Sequence, residues 1–401
     1  MQKFQPKVTI VIPVYNGANY LRNAIDSALS QTYPDVEVIV INDSSDDNGE
    51  TGRIARSYGN KIRYFQKENG GAAAALNLGI EKMTGEYFSW LNHDAMYETD
   101  KIQTQVEILS GLSDKSTILL GGVSVVDEQG ELLYQIDPLE QYSEKQLNTP
   151  LFALFKGAVH GCTLLVHKSH FSRAGRFDPS LPTAWDNELF FRIMRGQPVL
   201  FHPGIYVRTR FHQEQESKRK KEIHIEECSR LWISMMEALT EEEMTALEGS
   251  PYLFYRETRE FLAGNSAVYQ DAVDYADQKL RSLQKESAVL EEEYFYQKFS
   301  YLLYELTESY NAKITELENR CRIYEERLGQ GKYSKGVRLA LADLFKSIGE
   351  VFKRAVVRAC RFIFGVGRRI TTSLGIKDKL KKSKLFQKFY DKGLVDKLRN
   401  R

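Results

Sequence analysis

The chain has 401 residues, 42% hydrophobic and 27% charged, with a formal net charge of +1. This length and composition fit a globular protein of two or three domains and exclude a chain disordered throughout. The small net charge hides an uneven distribution: residues 332–401 hold 20 Lys and Arg against 5 Asp and Glu, leaving the rest acidic by a nearly equal amount. Cys162, Cys228, Cys321 and Cys360 lie far apart with no Cys-x-x-Cys pair, which argues against a zinc site or a disulfide framework. Met1–Lys7 lacks the apolar run of a secretion signal, and no uncharged apolar stretch reaches the ~18 residues of a membrane span. A cytoplasmic location is therefore expected.

Val8–Ile12 is almost wholly β-branched and reads as a buried strand stopped by Pro13. After the Val14–Gly17 turn, Leu21, Ile25, Ala28 and Leu29 recur at helical spacing. Val36–Ile41 is a second buried strand, a short helix carries Ile54 and Ala55, and Ile62–Phe65 is a third strand. Asn69-Gly70-Gly71 needs the backbone freedom of glycine, and Ala72–Ile80 follows as a helix. Tyr87–Leu91 is the fourth strand, followed directly by Asn92, His93 and Asp94. This β-α-β-α-β-α-β order with short connections predicts right-handed crossovers and a largely parallel sheet. Asn16, Asp43 and Asp94 then stand at neighbouring strand ends, where open α/β sheets bind ligands.

Further on, Ile118–Leu120 and Val123–Val126 read as short strands around Gly121-Gly122, and Thr163–Val166 as another buried strand. An apolar helix, Glu188–Met194, follows Trp185-Asp186-Asn187, and Val199–His202 is a strand ended by Pro203-Gly204. From about Glu222 the pattern turns helical, with a capping-box spacing at Thr240 and Glu243 and a Ser250-Pro251 helix start. Glu286–Leu328 reads as a long helix or hairpin able to self-associate, so a homo-oligomer is a further expectation. The domains expected are 1–217, a helical region 218–331 and a basic amphipathic tail 332–401.

Four blocks occur in order: Val-Thr-Ile-Val-Ile-Pro-Val-Tyr-Asn, Val-Ile-Val-Ile-Asn-Asp, Glu-Asn-Gly-Gly-Ala-Ala-Ala-Ala-Leu-Asn-Leu-Gly-Ile and Gly-Glu-Tyr-Phe-Ser-Trp-Leu-Asn-His-Asp. Together, over residues 7–217, they resemble glycosyltransferase family 2, the inverting nucleotide-sugar transferases. The resemblance implies the GT-A fold: a Rossmann-like, mostly parallel sheet with flanking helices, here followed by an α-helical C-terminal region. Two acidic family motifs differ, at Asn92, Ala95 and Trp185. The acidic run at the fourth strand is Asn92-His93-Asp94-Ala95, and the family's Glu-Asp pair is Trp185-Asp186. The later Arg-x-His-x-x-Gln-x-Ser segment is present as Arg210 to Ser217.

The implied reaction is attack of an acceptor hydroxyl on the anomeric carbon of a nucleotide sugar, with a nucleoside diphosphate leaving. The resemblance assigns nucleotide contacts to Pro13, Tyr15, Asn16, Asp43, Gly71, Asn77 and Asn92, and sugar or acceptor contacts to Trp185, His160, Gly161 and Arg210. Arg210 can alternatively neutralise phosphate or face solvent. Asp94 is the expected ligand of Mn²⁺ or Mg²⁺, with His212 a second ligand, a diphosphate donor or a structural residue. Asp186 is the candidate general base, its ordinary reading being a helix N-cap. Asp43 and Asp94 likewise have ordinary readings, an Asx-turn and a polar helix-capping turn. The function expected is transfer from a UDP-sugar to a glycan, glycolipid or glycoprotein in surface glycan synthesis. The alternative is a catalytically silent nucleotide-sugar-binding or scaffold subunit.

In the tail, Val337, Leu341, Leu344, Ile348, Val351, Phe352, Ala355, Ala359, Phe362 and Ile363 form an apolar stripe among Lys and Arg. Such a helix lies on an anionic membrane surface, here the inner face of the cell membrane, near a lipid-linked acceptor. The alternative is packing on the preceding helices. A nucleic-acid partner is not expected, since no base-reading module accompanies the charge.

Overall fold

The computed structural model describes residues 4–212, 219–264 and 269–283. The chain divides into two units, Met1–Leu290 and Glu291–Arg401, and every described residue belongs to the first. The 217/218 boundary, the end of the Arg210 to Ser217 motif, the expected helix over 286–328 and the basic tail lie outside the described residues.

The first half alternates as expected: β1 (Val8–Val14), α1 (Leu21–Leu29), β2 (Val36–Asn42), α2 (Glu50–Arg56), β3 (Arg63–Gln66), α3 (Gly71–Lys82) and β4 (Tyr87–Trp90). The second half is β5 (Ala95–Tyr97), α4 (Lys101–Gly111), β6 (Ile118–Val126), β7 (Leu132–Ile136), α5 (Glu144–Leu147), α6 (Phe152–Phe155), β8 (Val166–His167), α7 (Ser169–Ala174), α8 (Trp185–Met194) and β9 (Val199–Arg210). One sheet has the order β3-β2-β1-β4-β8, parallel except for β8, and the other runs β5-β9-β6-β7. Period-two alternation divides the apolar side chains of β1 between two layers. Val8, Ile10, Ile12 and Val14 pack with Leu21 and Ile25 of α1 and Ile102 and Val106 of α4. Val11 joins Leu76 and Ile80 of α3 on the other side.

Several expectations change. Pro13 does not end β1; it pairs in register with Ile41. The Leu91 N–H bonds the Val11 carbonyl and the Asp43 N–H bonds the Val14 carbonyl. By alternation, the N–H that Pro13 lacks would point to the β4 side, where β4 has ended, so no ladder bond is lost. β6 is one strand through Gly121-Gly122. A Cβ on Gly121 would lie 2.9 Å from the His202 ring, and one on Gly122 2.8 Å from the Ile136 carbonyl oxygen. These glycines permit close approach within the strand and do not break it. β9 likewise runs through Pro203-Gly204, with register shifts against β6. The strand expected at Thr163–Val166 is only the two-residue antiparallel β8, preceded by a 3₁₀ turn at Gly161–Thr163. β5 and β7 carry no strong sequence signal and form by pairing.

Among the described residues four further helices follow: α9 (Lys221–Ala238), α10 (Glu241–Glu248), α11 (Pro251–Gly264) and α12 (Gln270–Ser282). Their buried Trp232, Met236, Phe254, Leu262 and Ala272 share one apolar cluster with Phe155 and Phe190. Local signals hold here: Thr240 and Glu243 make the reciprocal capping box, and Ser250 Oγ accepts from the Leu253 N–H at 3.1 Å. Among the described residues no helix is long and apolar enough to cross a membrane.

Candidate active site

The carboxyl ends of β2, β1 and β4 are neighbours, and their loops are bound together. Asn16 has a left-handed φ of 50°, a conformation asparagine tolerates. Its N–H donates to Ser45 Oγ at 2.9 Å, and its carboxamide both donates to the Asp46 carboxylate and accepts from the Asp46 N–H. On the other side, a Cβ on Gly17 would lie 2.4 Å from the His93 ring, so only glycine lets the β1–α1 turn close on the β4–β5 turn. Asp43 is buried at the end of β2. Its carboxylate accepts from Lys67 Nζ at 2.7 Å, the Gly70 N–H at 3.0 Å and the Gly71 N–H at 2.7 Å. It thereby ties β2 to the start of α3, and the φ of +83° at Gly71 makes that turn possible. Of this group, Tyr15 at 42% exposure and Asn16 are exposed, while Pro13 is buried.

Asp94 is the centre of a second cluster. Its Oδ2 lies 2.9 Å from His212 Nε2, and Arg210 Nη1 donates to its carbonyl oxygen at 3.3 Å. Burial pushes the carboxyl up, but the His212 hydrogen bond and the His93 charge outweigh that and hold it below the ordinary carboxylate range. Burial lowers the His93 imidazole. His160 is driven down to about 4 by burial, against the pull of the Asp94 charge, and its Nδ1 has no hydrogen-bond partner among the described residues. Arg210 is 3% exposed and its guanidinium lies 4.2 Å from the centre of the Tyr20 ring, so the solvent-facing alternative is excluded. Beneath the turn, the wholly buried Lys101 donates to Ser89 and Gln105, and Tyr97 donates to the Trp90 carbonyl.

The carboxylate and imidazole at 2.9 Å fit a divalent cation that keeps open positions for phosphate and water. They supply two donors; no group of three or more His, Cys, Asp or Glu suited to a metal occurs among the described residues.

Asp186 lies inside the first turn of α8. The N-cap position belongs to Ala184, so the N-cap reading of Asp186 is not the one adopted. Its Oδ1 accepts from the Asn187 N–H at 2.7 Å. Burial, with the Glu227 charge adding to it, raises the carboxyl to about 6 despite the backbone donors. Glu227 on α9 accepts from the Thr183 and Ala184 N–H groups at 2.7 and 3.0 Å.

The remaining expected residues are placed as follows. Trp185 is 8% exposed, 5.2 Å from Trp90 and 5.3 Å from Phe177 between ring centres, so it is part of an aromatic cluster and not an open stacking platform. A Cβ on Gly161 would lie 2.1 Å from the Trp90 ring, which makes that glycine a packing requirement. Asn77 clamps the backbone of Phe177, donating to its carbonyl at 2.8 Å and accepting from its N–H at 3.0 Å. Asn92 accepts from the Trp90 indole at 2.8 Å. Tyr20, Lys67 and Glu227 are the side chains that sequence reasoning missed. No local spacing marks them, since each acts on a residue distant in the chain.

A three-layer α/β domain with acidic groups at the carboxyl edge of a mostly parallel sheet defines the general class. The family model for glycosyl transferase family 2 matches residues 9–165. An uncharacterized glycosyltransferase of Rickettsia typhi is 43% identical over 279 residues, which is 69% of this chain and 87% of that one. Another from Rickettsia felis is 51% identical over 272 residues, 68% of this chain and 45% of that one. The chain spans 41–45% of the length of this and two further Rickettsia relatives. S. aureus TarS 1–349, solved in complex with UDP-GlcNAc, overlays with a TM-score of 0.49 at 15% identity, covering 68% of this chain and 88% of that one. The chain belongs to glycosyltransferase family 2.

Proposed function

We propose that this chain is an inverting, metal-dependent glycosyltransferase that moves a sugar from a nucleoside-diphosphate donor, a UDP-sugar, to an acceptor hydroxyl of a glycan, glycolipid or glycoprotein in surface glycan synthesis. The observation that carries the reading is the Asp94 carboxylate, held ionised by His212 at the edge where a parallel sheet binds ligands. Asp94 and His212 would hold Mn²⁺ or Mg²⁺, which supplies positive charge for a leaving diphosphate. Tyr15, exposed in the β1–α1 turn, and the Asp43 loop offer the nucleoside side of the cleft.

Asp186 acts as general base. A carboxyl raised to about 6 is ionised at neutral pH yet more basic than an ordinary aspartate, as proton abstraction from a hydroxyl requires. The proton passes from the acceptor hydroxyl to Asp186. The acceptor oxygen forms the new bond to the anomeric carbon as the bond to the diphosphate oxygen breaks, inverting that carbon. The basic tail, proposed from its sequence, brings this cytoplasmic domain to an anionic membrane surface and a lipid-linked acceptor.

The test is release of nucleoside diphosphate from a panel of UDP-, dTDP- and GDP-sugars, with Mn²⁺ and with chelator, in wild type and Asp94→Asn. Metal-stimulated release from one donor, lost in the variant, is the expected result. No release from any donor would overturn the catalytic reading in favour of a silent subunit.

A further inference from the structure

We infer that Glu227 is a positioning residue for Asp186: from α9 it anchors the backbone that carries the candidate base and sets the charge that base faces. The inference rests on the reading of Asp186 as general base.

Glu227 is 4% exposed. A single oxygen, Oε2, accepts from the Thr183 N–H at 2.7 Å, the Thr183 hydroxyl at 2.5 Å and the Ala184 N–H at 3.0 Å. A carboxylate so deeply buried persists only where donors compensate its desolvation, and here all three belong to the residues leading into α8. The N-cap residue of α8 is Ala184, which has no side chain able to cap. Glu227, 43 residues away in the chain, instead holds the N–H of that N-cap residue and of the residue before it. Its negative charge at the start of α8 is favourable to the helix and unfavourable to ionisation of Asp186, which sits in the same first turn. One group thus anchors the backbone that carries Asp186 and adds its charge to the burial that chiefly makes Asp186 basic.

The other charged or titratable neighbours do not take this role. On α8 itself, Glu188 is bound to Arg192 at 2.5 Å. On α9, the Cys228 thiol is pushed up to about 12, chiefly by burial, and so is neutral; it lies 3.6 Å from His224 and interacts with Tyr269. Glu227 is the carboxylate whose charge raises Asp186 among the described residues.

The experiment uses the full chain in four forms: wild type, Glu227→Gln, Glu227→Ala and Asp186→Asn. Two readouts are taken. The first is the pH dependence of kcat and kcat/KM for diphosphate release from UDP-sugars with Mn²⁺. The second, independent of turnover, is a ¹³C NMR titration of the Asp186 carboxyl, assigned by its loss in Asp186→Asn. The Gln side-chain oxygen can still accept from Thr183 and Ala184, so this variant keeps the anchor and removes the charge. It should move both the acid limb and the Asp186 titration to lower pH. Glu227→Ala loses the anchor as well, and should lower kcat by about 10–10²-fold with donor KM nearly constant, as misplacing a reacting group does. An Asp186 titration that is the same in Glu227→Gln as in wild type would overturn the inference. So would a Glu227→Ala variant that is less heat-stable but unchanged in kcat. If Asp186→Asn itself keeps turnover, the base assignment fails, a result distinct from either.

Discussion

Replacing Asp186 by Asn should make the protein more stable and less active. The carboxyl stands at about 6 in the folded chain against an ordinary 3.8, chiefly through burial. Its folded-state value is raised, so the folded state binds this proton more tightly than the unfolded chain. The resulting stabilisation is fully present below about pH 3.8 and is lost as pH rises through about 6. The gap of about two units corresponds to roughly 3 kcal/mol at ~1.36 kcal/mol per unit, the cost of keeping an ionised carboxylate in this site at neutral pH. Asn cannot ionise, and its side-chain oxygen can still accept from the Asn187 N–H. Asp186→Asn should therefore exceed wild type by roughly 3 kcal/mol at pH 7.5, a rise in Tm of about 5 °C. The advantage should shrink towards zero near pH 4. Transfer should fall by about 10²–10⁴-fold, the contribution of a general base. Thermal and urea melts at both pH values, followed by tryptophan fluorescence, read the stability. No gain at pH 7.5, or an equal gain at both, would refute the argument that desolvation sets the basicity of this group.

Asp94→Ala should abolish the Mn²⁺-dependent strengthening of UDP binding and His212→Ala should weaken it less; calorimetric titration of UDP with and without Mn²⁺ reads both, and unchanged affinity in Asp94→Ala removes it from the metal site. Because His212 and His93 hold Asp94 below the ordinary range, the stability it contributes is present above that range and lost as pH falls, so His212→Ala should unfold at a higher pH during acid titration. Gly161→Ala places a carbon 2.1 Å from the Trp90 ring and should cost about 1–3 kcal/mol, measured by denaturant melts; a wild-type midpoint would show that the ring can yield. The full-length chain should float with anionic vesicles at low salt, less at high salt and not with neutral ones, whereas a chain ending at Gly331 should stay soluble; failure of the full-length chain to float removes the membrane role of residues 332–401.

Sequence alone determined what depends on near neighbours in the chain. The β-branched run Val8–Ile12, the helical spacing of Leu21, Ile25 and Ala28, and the Thr240–Glu243 capping box are local patterns, and each forms where its period places it. The parallel order followed from short β-α-β connections, and it put Asn16, Asp43 and Asp94 at neighbouring strand ends. Tertiary structure decided what depends on distant partners. Pro13 stays within β1 because of the side on which β4 ends, and Gly121-Gly122 continue a strand because His202 and Ile136 press against them. Trp185 reads as an exposed platform until Trp90 and Phe177 cover it, and the solvent-facing alternative for Arg210 stands until the Asp94 carbonyl and Tyr20 enclose it. The basicity of Asp186 is of the same kind: it arises from desolvation and from Glu227, a carboxylate on another helix, and neither is written into the residues beside it.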